Sequence, residues 1–375
     1  MNSSTFSLKK LAITHIPEFA AISNTENLAF SRMGGFSRKV FKISSPTFSV
    51  ILKEVQDENK DTLFNHYEPK IEEIRIAANF GPKFYYEDNE ISIEECLDAR
   101  TLTYSDTIQQ NTRILVLEEL VKFSKMETNG HLLNPRNKTL YSDVIERGLA
   151  NELLESQEIY RERNPNCDLL DKILVLVDKE ASSEYLKNIV ARFENPSQPG
   201  YENILCHNDF YFMNLMQDND QEEKFHLIDY EFSSFNPMFW DLAHLCLENT
   251  FRFNEETGKF DLKFEDYVSP EDLKELVTAF LMRWKLYGNA EQQLPKGMAF
   301  VENLRAGEYS GVLTDEEIQG GVAAFSDATL LMNVFWIKWC VWRLRDKNID
   351  WPILDYVGVR IEAQEKLKEL FLGSE

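Results

Sequence analysis

The sequence predicts an α+β fold of two lobes, a small β-rich lobe over residues 1–98 and a larger, mainly helical lobe over residues 99–375. Three observations support this. The chain, at 375 residues, is too long for one small core and about right for two lobes. Short apolar strands and turns crowd the first lobe. Helical periodicity dominates the rest, interrupted by two short apolar strands around a polar loop near residues 206–231.

Composition narrows the function. The chain is 43% hydrophobic and 27% charged, as expected of a soluble globular protein, and its formal charge is −23. That charge argues against nonspecific nucleic-acid binding, which needs a basic face. It is compatible with a cationic small substrate. The five cysteines (Cys96, Cys167, Cys206, Cys246, Cys340) are dispersed without a C-x-x-C pair. They read as reduced thiols in a cytoplasmic protein, not as a disulfide framework or zinc site. Lys9 and Lys10 precede no apolar run, so no signal peptide is expected. The richest apolar stretch, Val334 to Leu344, is broken by Lys338 and Arg343, so no membrane insertion is expected.

In chain order, residues 1–24 form a short helical or irregular lead-in. Ala29 to Ile43 reads strand, glycine turn, strand. Gly34 and Gly35 allow a phosphate close to the backbone and Ser37 can donate to it, although a plain hairpin turn explains the same pattern. Phe48 to Lys53 is an apolar strand ending in a cation, followed by Glu68 in a helical pattern. A strand Lys and a helix Glu in that order are the pair that holds nucleotide phosphates in kinases. Strands follow at 81–86 and 89–97. The second would end in a hinge, at Glu95 and Leu97, where backbone groups read adenine. Helical patterns cover Ser105 to Met126 and Ile173 to Phe193.

The chemistry concentrates in Cys206-His-Asn-Asp209-Phe-Tyr-Phe-Met-Asn214 and Phe225-His-Leu-Ile-Asp229-Tyr-Glu231. Asp209 and Asn214 have the D-x-x-x-x-N spacing of kinase catalytic loops. The polar stretch 217–224 reads as a hairpin turn that brings Asn214 and Asp229 together. Two hard oxygen ligands are what a magnesium ion bridging nucleotide phosphates takes from a protein. Asp209 would accept the proton of an attacking hydroxyl. Asp241, at the start of the next helix, reads as a cap and brace of this loop. Ser269-Pro270 and Thr314…Glu317 are helix starts. Trp336, Trp339 and Trp342 fall at helical spacing, a pattern that periodicity alone assigns to core.

These motifs resemble the choline/ethanolamine kinase family of the protein-kinase-like superfold, over about Ala29 to Leu367. The block from Cys206 through Asp209, Asn214, Asp229, Glu231 and Asp241 to Glu248 carries most of the resemblance, and Asn208, Glu231 and Glu248 point to this branch rather than to aminoglycoside phosphotransferases. The resemblance implies ATP and Mg2+ as cofactors and choline or ethanolamine as substrate. Another amino alcohol or a sugar is the alternative. It further implies Asp209 as catalytic base, Asn214 and Asp229 as magnesium ligands, and Glu248, with Glu231, near the substrate ammonium. The cage of rings would be Phe232, Phe253, Trp336, Trp339 and Tyr356. A homodimer is implied as well. Departures from the family pattern are Arg38 after the glycine turn, Lys53 for Arg, Tyr211 and Phe212 in the loop, and His244-Leu245 for Asn-His.

Overall fold

The computed structural model describes residues 3–19, 22, 24–33, 38–55, 68–88, 91–127, 150–163, 168–181, 183–194, 196–289, 294–344 and 352–373. Helix α1 (Ser3–His15) is the lead-in, and its Leu8 and Ala12, one turn apart, face the sheet that follows. That sheet has five antiparallel strands, β1 (Ala29–Arg32), β2 (Arg38–Ser44), β3 (Ser49–Val55), β4 (Phe84–Glu87) and β5 (Ile91–Glu95), in the order β1-β2-β3-β5-β4. Helix α2 (Glu68–Ala77) falls between β3 and β4. Val50, Leu52 and Ile93 point into the small-lobe core beneath α1. Strand alternation therefore turns Lys53, Ser92 and Glu94 to the opposite face. Ile71 and Ile74 of α2 belong instead to the core of the large lobe.

Past Leu97 the chain enters β6 (Ala99–Thr101). The helical stretch expected over 105–126 is two helices, α3 (Tyr104–Thr107) and α4 (Gln110–Ser124). Thr103 and Asp106 close a capping box on the first, and Arg113 donates to Thr107 O across the break. Helices α5 (Ala150–Arg163), α6 (Asp168–Ala181) and α7 (Glu184–Glu194) lead to β7 (Asn203–Cys206). Strands β8 (Leu215–Asp218) and β9 (Phe225–Leu227) form the expected hairpin. β6 pairs with β8, and β10 (Ser234–Pro237) pairs with β7.

Helix α8 (Trp240–Glu248) is buried along its whole length. A second hairpin, β11 (Phe251–Asn254) and β12 (Lys259–Leu262), comes next. Among the described residues four α-helices follow: α9 (Pro270–Leu286), α10 (Gly297–Arg305), α11 (Asp315–Arg343) and α12 (Ile353–Leu372). Ser269 caps α9 and the Thr314–Glu317 box starts α11, as the sequence predicts. The most apolar window of α11 is 78% buried inside the protein, so its hydropathy is that of a core helix.

Asp327 of α11 pins this core. It accepts two bonds from Arg192 at 2.7 and 2.8 Å and one from the buried Tyr201 hydroxyl at 2.6 Å. Asp327→Ala leaves a buried hydroxyl and a guanidinium without their acceptor. It is expected to lower unfolding free energy by about 2–4 kcal/mol, read from urea denaturation. A loss below about 0.5 kcal/mol, the size of a surface effect, would contradict the pin.

Candidate active site

The loop after β7 is neither helix nor strand, so its N–H groups need acceptors from elsewhere. Asp241 supplies two: Oδ2 accepts from His207 N and Oδ1 from Asn208 N, each at 2.8 Å. The carboxylate does not cap its own helix, whose start carries no side-chain cap bond. Of the two roles read for Asp241, the brace is present and the cap is absent. Burial pushes its pKa up to about 7, against those two N–H bonds.

Asn208 sits at φ +69°, left-handed for a residue with a side chain. It is held there by bonds from its Nδ2 to Phe232 O (2.6 Å) and Ser234 Oγ (2.9 Å), and from Asn236 Nδ2 to its Oδ1 (2.7 Å). His207 Nε2 lies 3.0 Å from Ile228 O, and burial lowers the imidazole pKa to about 4, so the ring is neutral at pH 7.

Asp209 follows, partly exposed. Asn214 Nδ2 donates to its Oδ2 at 2.7 Å and to its carbonyl at 2.9 Å. With the amide nitrogen so committed, the Asn214 side-chain oxygen is the atom left to face a cation. Asn214 O accepts from Ile228 N at 3.1 Å at the base of the β8–β9 hairpin, which brings Asp229 alongside. Asp229 is also left-handed, at φ +67°. Burial, then the charges of Asp229, Glu248 and Glu231, raise the Asp209 pKa well above the usual carboxylate range.

Among the described residues no group of three or more His, Cys, Asp or Glu gathers to hold an ion. One carboxylate and one amide oxygen fit magnesium, which keeps water and takes phosphate oxygens as further ligands.

From the small lobe, Lys53 reaches 2.7 Å from Glu94 Oε1 and 3.9 Å from Asp229 Oδ1. Glu94 is a partner that the sequence reading missed. Lys53 pairs in register with Ser92, and Glu94 is two residues along on the same face. Glu68 begins α2, but its side chain lies outside the described residues, as do Gly34, Gly35 and Ser37. Glu95 is turned to Lys83: its N–H donates to Lys83 O (2.8 Å) and its Oε2 accepts from Lys83 N (3.1 Å). That N–H is therefore committed within the sheet. Leu97 lies beyond the strand, partly buried.

The ring cluster is only partly as expected. Phe232, Trp336 and Trp339 come together, with centroids 5.6, 6.1 and 5.1 Å apart. His244 stacks on Trp336 at 5.1 Å and 7°. Tyr356 packs instead on Phe251 and Phe260. Phe253 lies 51% exposed on the β11–β12 hairpin, against its cross-strand partner Phe260.

Glu248 was expected at the substrate ammonium, but both its oxygens are taken. Arg360 donates to Oε1, the Tyr356 hydroxyl donates to Oε2 at 2.7 Å, and His244 Nε2 is 3.3 Å from Oε1. Burial alone would raise its pKa, but Arg360 and these bonds bring it down to about 2. Arg360 was legible only as a helix cation one turn after Tyr356. Glu231 is partly exposed beside Asp229.

The family model for choline/ethanolamine kinases matches residues 31–365. Probable choline kinase 1 of Arabidopsis thaliana is 23% identical over 349 residues, 90% of this chain and 86% of that protein. Ethanolamine kinase 1 of Mus musculus is 20% identical, over 83% of this chain and 75% of that one. Among solved structures, a choline kinase from Cryptosporidium parvum superposes with a TM-score of 0.70 at 17% identity, over 98% of this chain and 96% of that one. An ethanolamine kinase from Plasmodium vivax gives 0.65 at 16% identity, over 97% and 89%. The fold is thus the two-lobed, protein-kinase-like fold of choline kinases.

The Glu248–Arg360 pair predicts a pH signature. The folded pKa of Glu248 lies below the ordinary 4.5, so its stabilisation is full above about pH 4.5 and is lost as pH falls towards 2. At neutral pH Glu248→Gln should cost about 3–5 kcal/mol, since Arg360 stays buried without its counter-charge. The gap to wild type should narrow in acid; urea titrations at about pH 7 and about pH 3 test this, and a pH-independent gap would refute it.

Proposed function

This chain belongs to the choline/ethanolamine kinase family, and from that membership we propose that it transfers the γ-phosphoryl group of ATP to the hydroxyl of choline or ethanolamine. In the family this step opens phosphatidylcholine and phosphatidylethanolamine synthesis. The observation that carries the reading is the convergence of Asp209, Asn214 and Asp229 at one end of a hairpin, with Lys53 reaching them from the opposite lobe. Residues 1–98 act as the small, nucleotide-covering lobe and 99–375 as the lobe that holds the catalytic loop and the alcohol.

Asp209 orients the alcohol hydroxyl and takes its proton. Burial first, and then the neighbouring carboxylates, make it a stronger base than a free aspartate. Asn214 fixes the Asp209 carboxylate in place and, with Asp229, holds magnesium. When bound, magnesium supplies positive charge against the phosphate oxygens. Lys53, kept extended by Glu94, meets the phosphates from the other side. Most of the rate then comes from positioning and electrostatics, with little covalent work for the protein.

Phe232, Trp336 and Trp339 face the substrate ammonium, and Glu231 adds a carboxylate. Each ring contributes about 0.5–2 kcal/mol through cation–π attraction. The commitment of Glu248 to Arg360 favours a secondary reading, another amino alcohol with a smaller demand for acid. A phosphorylation screen over choline, ethanolamine, other amino alcohols and sugars separates the two.

Asp209→Asn is expected to lower kcat by about 10²–10⁴-fold with an unchanged melting temperature. Wild-type turnover in that variant removes the base from Asp209. Trp339→Ala should raise KM for the alcohol about tenfold and leave KM for ATP unchanged, the loss of roughly one strong cation–π contact. Equal changes in both constants would mean that Trp339 is packing only.

A further inference from the structure

We propose that Arg75, a cation on α2 of the small lobe, is a positioning residue that sets Asp229 through the ring of Tyr230. This rests on the reading of Asp229 as a magnesium ligand. Arg75 is 1% exposed. Its Nη1 donates to Phe80 O at 2.9 Å and to Pro82 O at 2.6 Å, tying the helix to the turn that follows it. Its guanidinium carbon stands 4.9 Å from the centre of the Tyr230 ring and 5.5 Å from that of Phe84.

The turn itself closes on the same ring. Gly81 has φ +74°, and a Cβ there would lie 2.4 Å from the Tyr230 hydroxyl oxygen and 3.1 Å from Arg75 Nη1. Only glycine lets the backbone pass so near.

From the large lobe, the Tyr230 hydroxyl donates to Leu227 O at 2.5 Å, and the ring stacks on Phe123 (5.6 Å, 25°) and tilts against His207 (5.4 Å). Tyr230 is therefore gripped by both lobes. Its neighbour Asp229 holds a left-handed conformation that a non-glycine residue keeps only when its surroundings over-determine it. Arg75 and Gly81 are the small lobe's share of that determination. Ile71 and Ile74, on the same helix, pack in the large-lobe core, so α2 is seated against that lobe's interior. The arrangement makes the geometry at Asp229 depend on where α2 and the turn after it sit.

The test uses the full chain. Mn2+ is titrated into its complex with a non-hydrolysable ATP analogue and followed by electron paramagnetic resonance, with hydrogen exchange of segment 228–232 as a second readout. Arg75→Met should weaken Mn2+ binding about tenfold and speed that exchange, as loss of a group that orients a metal ligand does, while binding of the analogue without metal is unchanged. Arg75→Lys, which keeps the cation over the ring, should recover most of the loss. Gly81→Ala should weaken Mn2+ binding independently, and Gly81→Ala with Tyr230→Phe should regain part of it by removing the hydroxyl it strikes.

Mn2+ affinity within about twofold of wild type in Arg75→Met, with only the melting temperature lowered, overturns the proposal. If Arg75→Met does not fold, an undiminished Mn2+ affinity in Gly81→Ala does the same. A wild type that binds Mn2+ no better than Asp229→Ala overturns the metal reading instead.

Discussion

A single buried carboxylate, Asp241, fixes the active loop by accepting the N–H groups of His207 and Asn208. The loop has no ladder of its own, and two unpaired buried N–H groups would cost several kcal/mol. With both satisfied, Asn208 can adopt its left-handed turn and send its amide towards Phe232 O, Ser234 and Asn236. The next side chain, Asp209, is thereby aimed by a fully bonded backbone. Its direction comes from the start of a helix whose far end carries Glu248.

The second constraint is the left-handed residue at Asp229. It ends a hairpin whose register, Leu215 opposite Leu227, puts Asn214 level with Ile228 and so next to Asp229. Strain at Asn208 and Asp229 is compatible with a rigid loop, because the cost is met by packing around Tyr230 and bonding around Asn208. Such a site does not have to reorganise when charge develops on a transferring group.

Charge is handled by pairing inside and excess at the cleft. The buried acids Glu94 and Glu248 have their own cations, Lys53 and Arg360. Asp209, Asp229 and Glu231 stand partly exposed and close enough for two of them to raise the pKa of the third. A cluster of that kind favours cations over anions, in keeping with the formal charge of −23 for the whole chain.

Period-two and period-3.6 patterns determined, without any structure, where sheet gives way to helices. The spacing of Asp209 and Asn214 and the apolar run ending in Asp229 determined the proposed chemistry. Those are local properties, because a hairpin or a helix face is set by residues a few positions apart. Tertiary structure alone decided the partners. Glu94 takes Lys53 through strand pairing, Arg360 takes Glu248 across two helices more than a hundred residues apart, and Phe253 is turned outward while Trp336 and Trp339 meet Phe232. Such contacts follow from which faces are buried against which. That is a property of the packed whole, which no window of sequence contains.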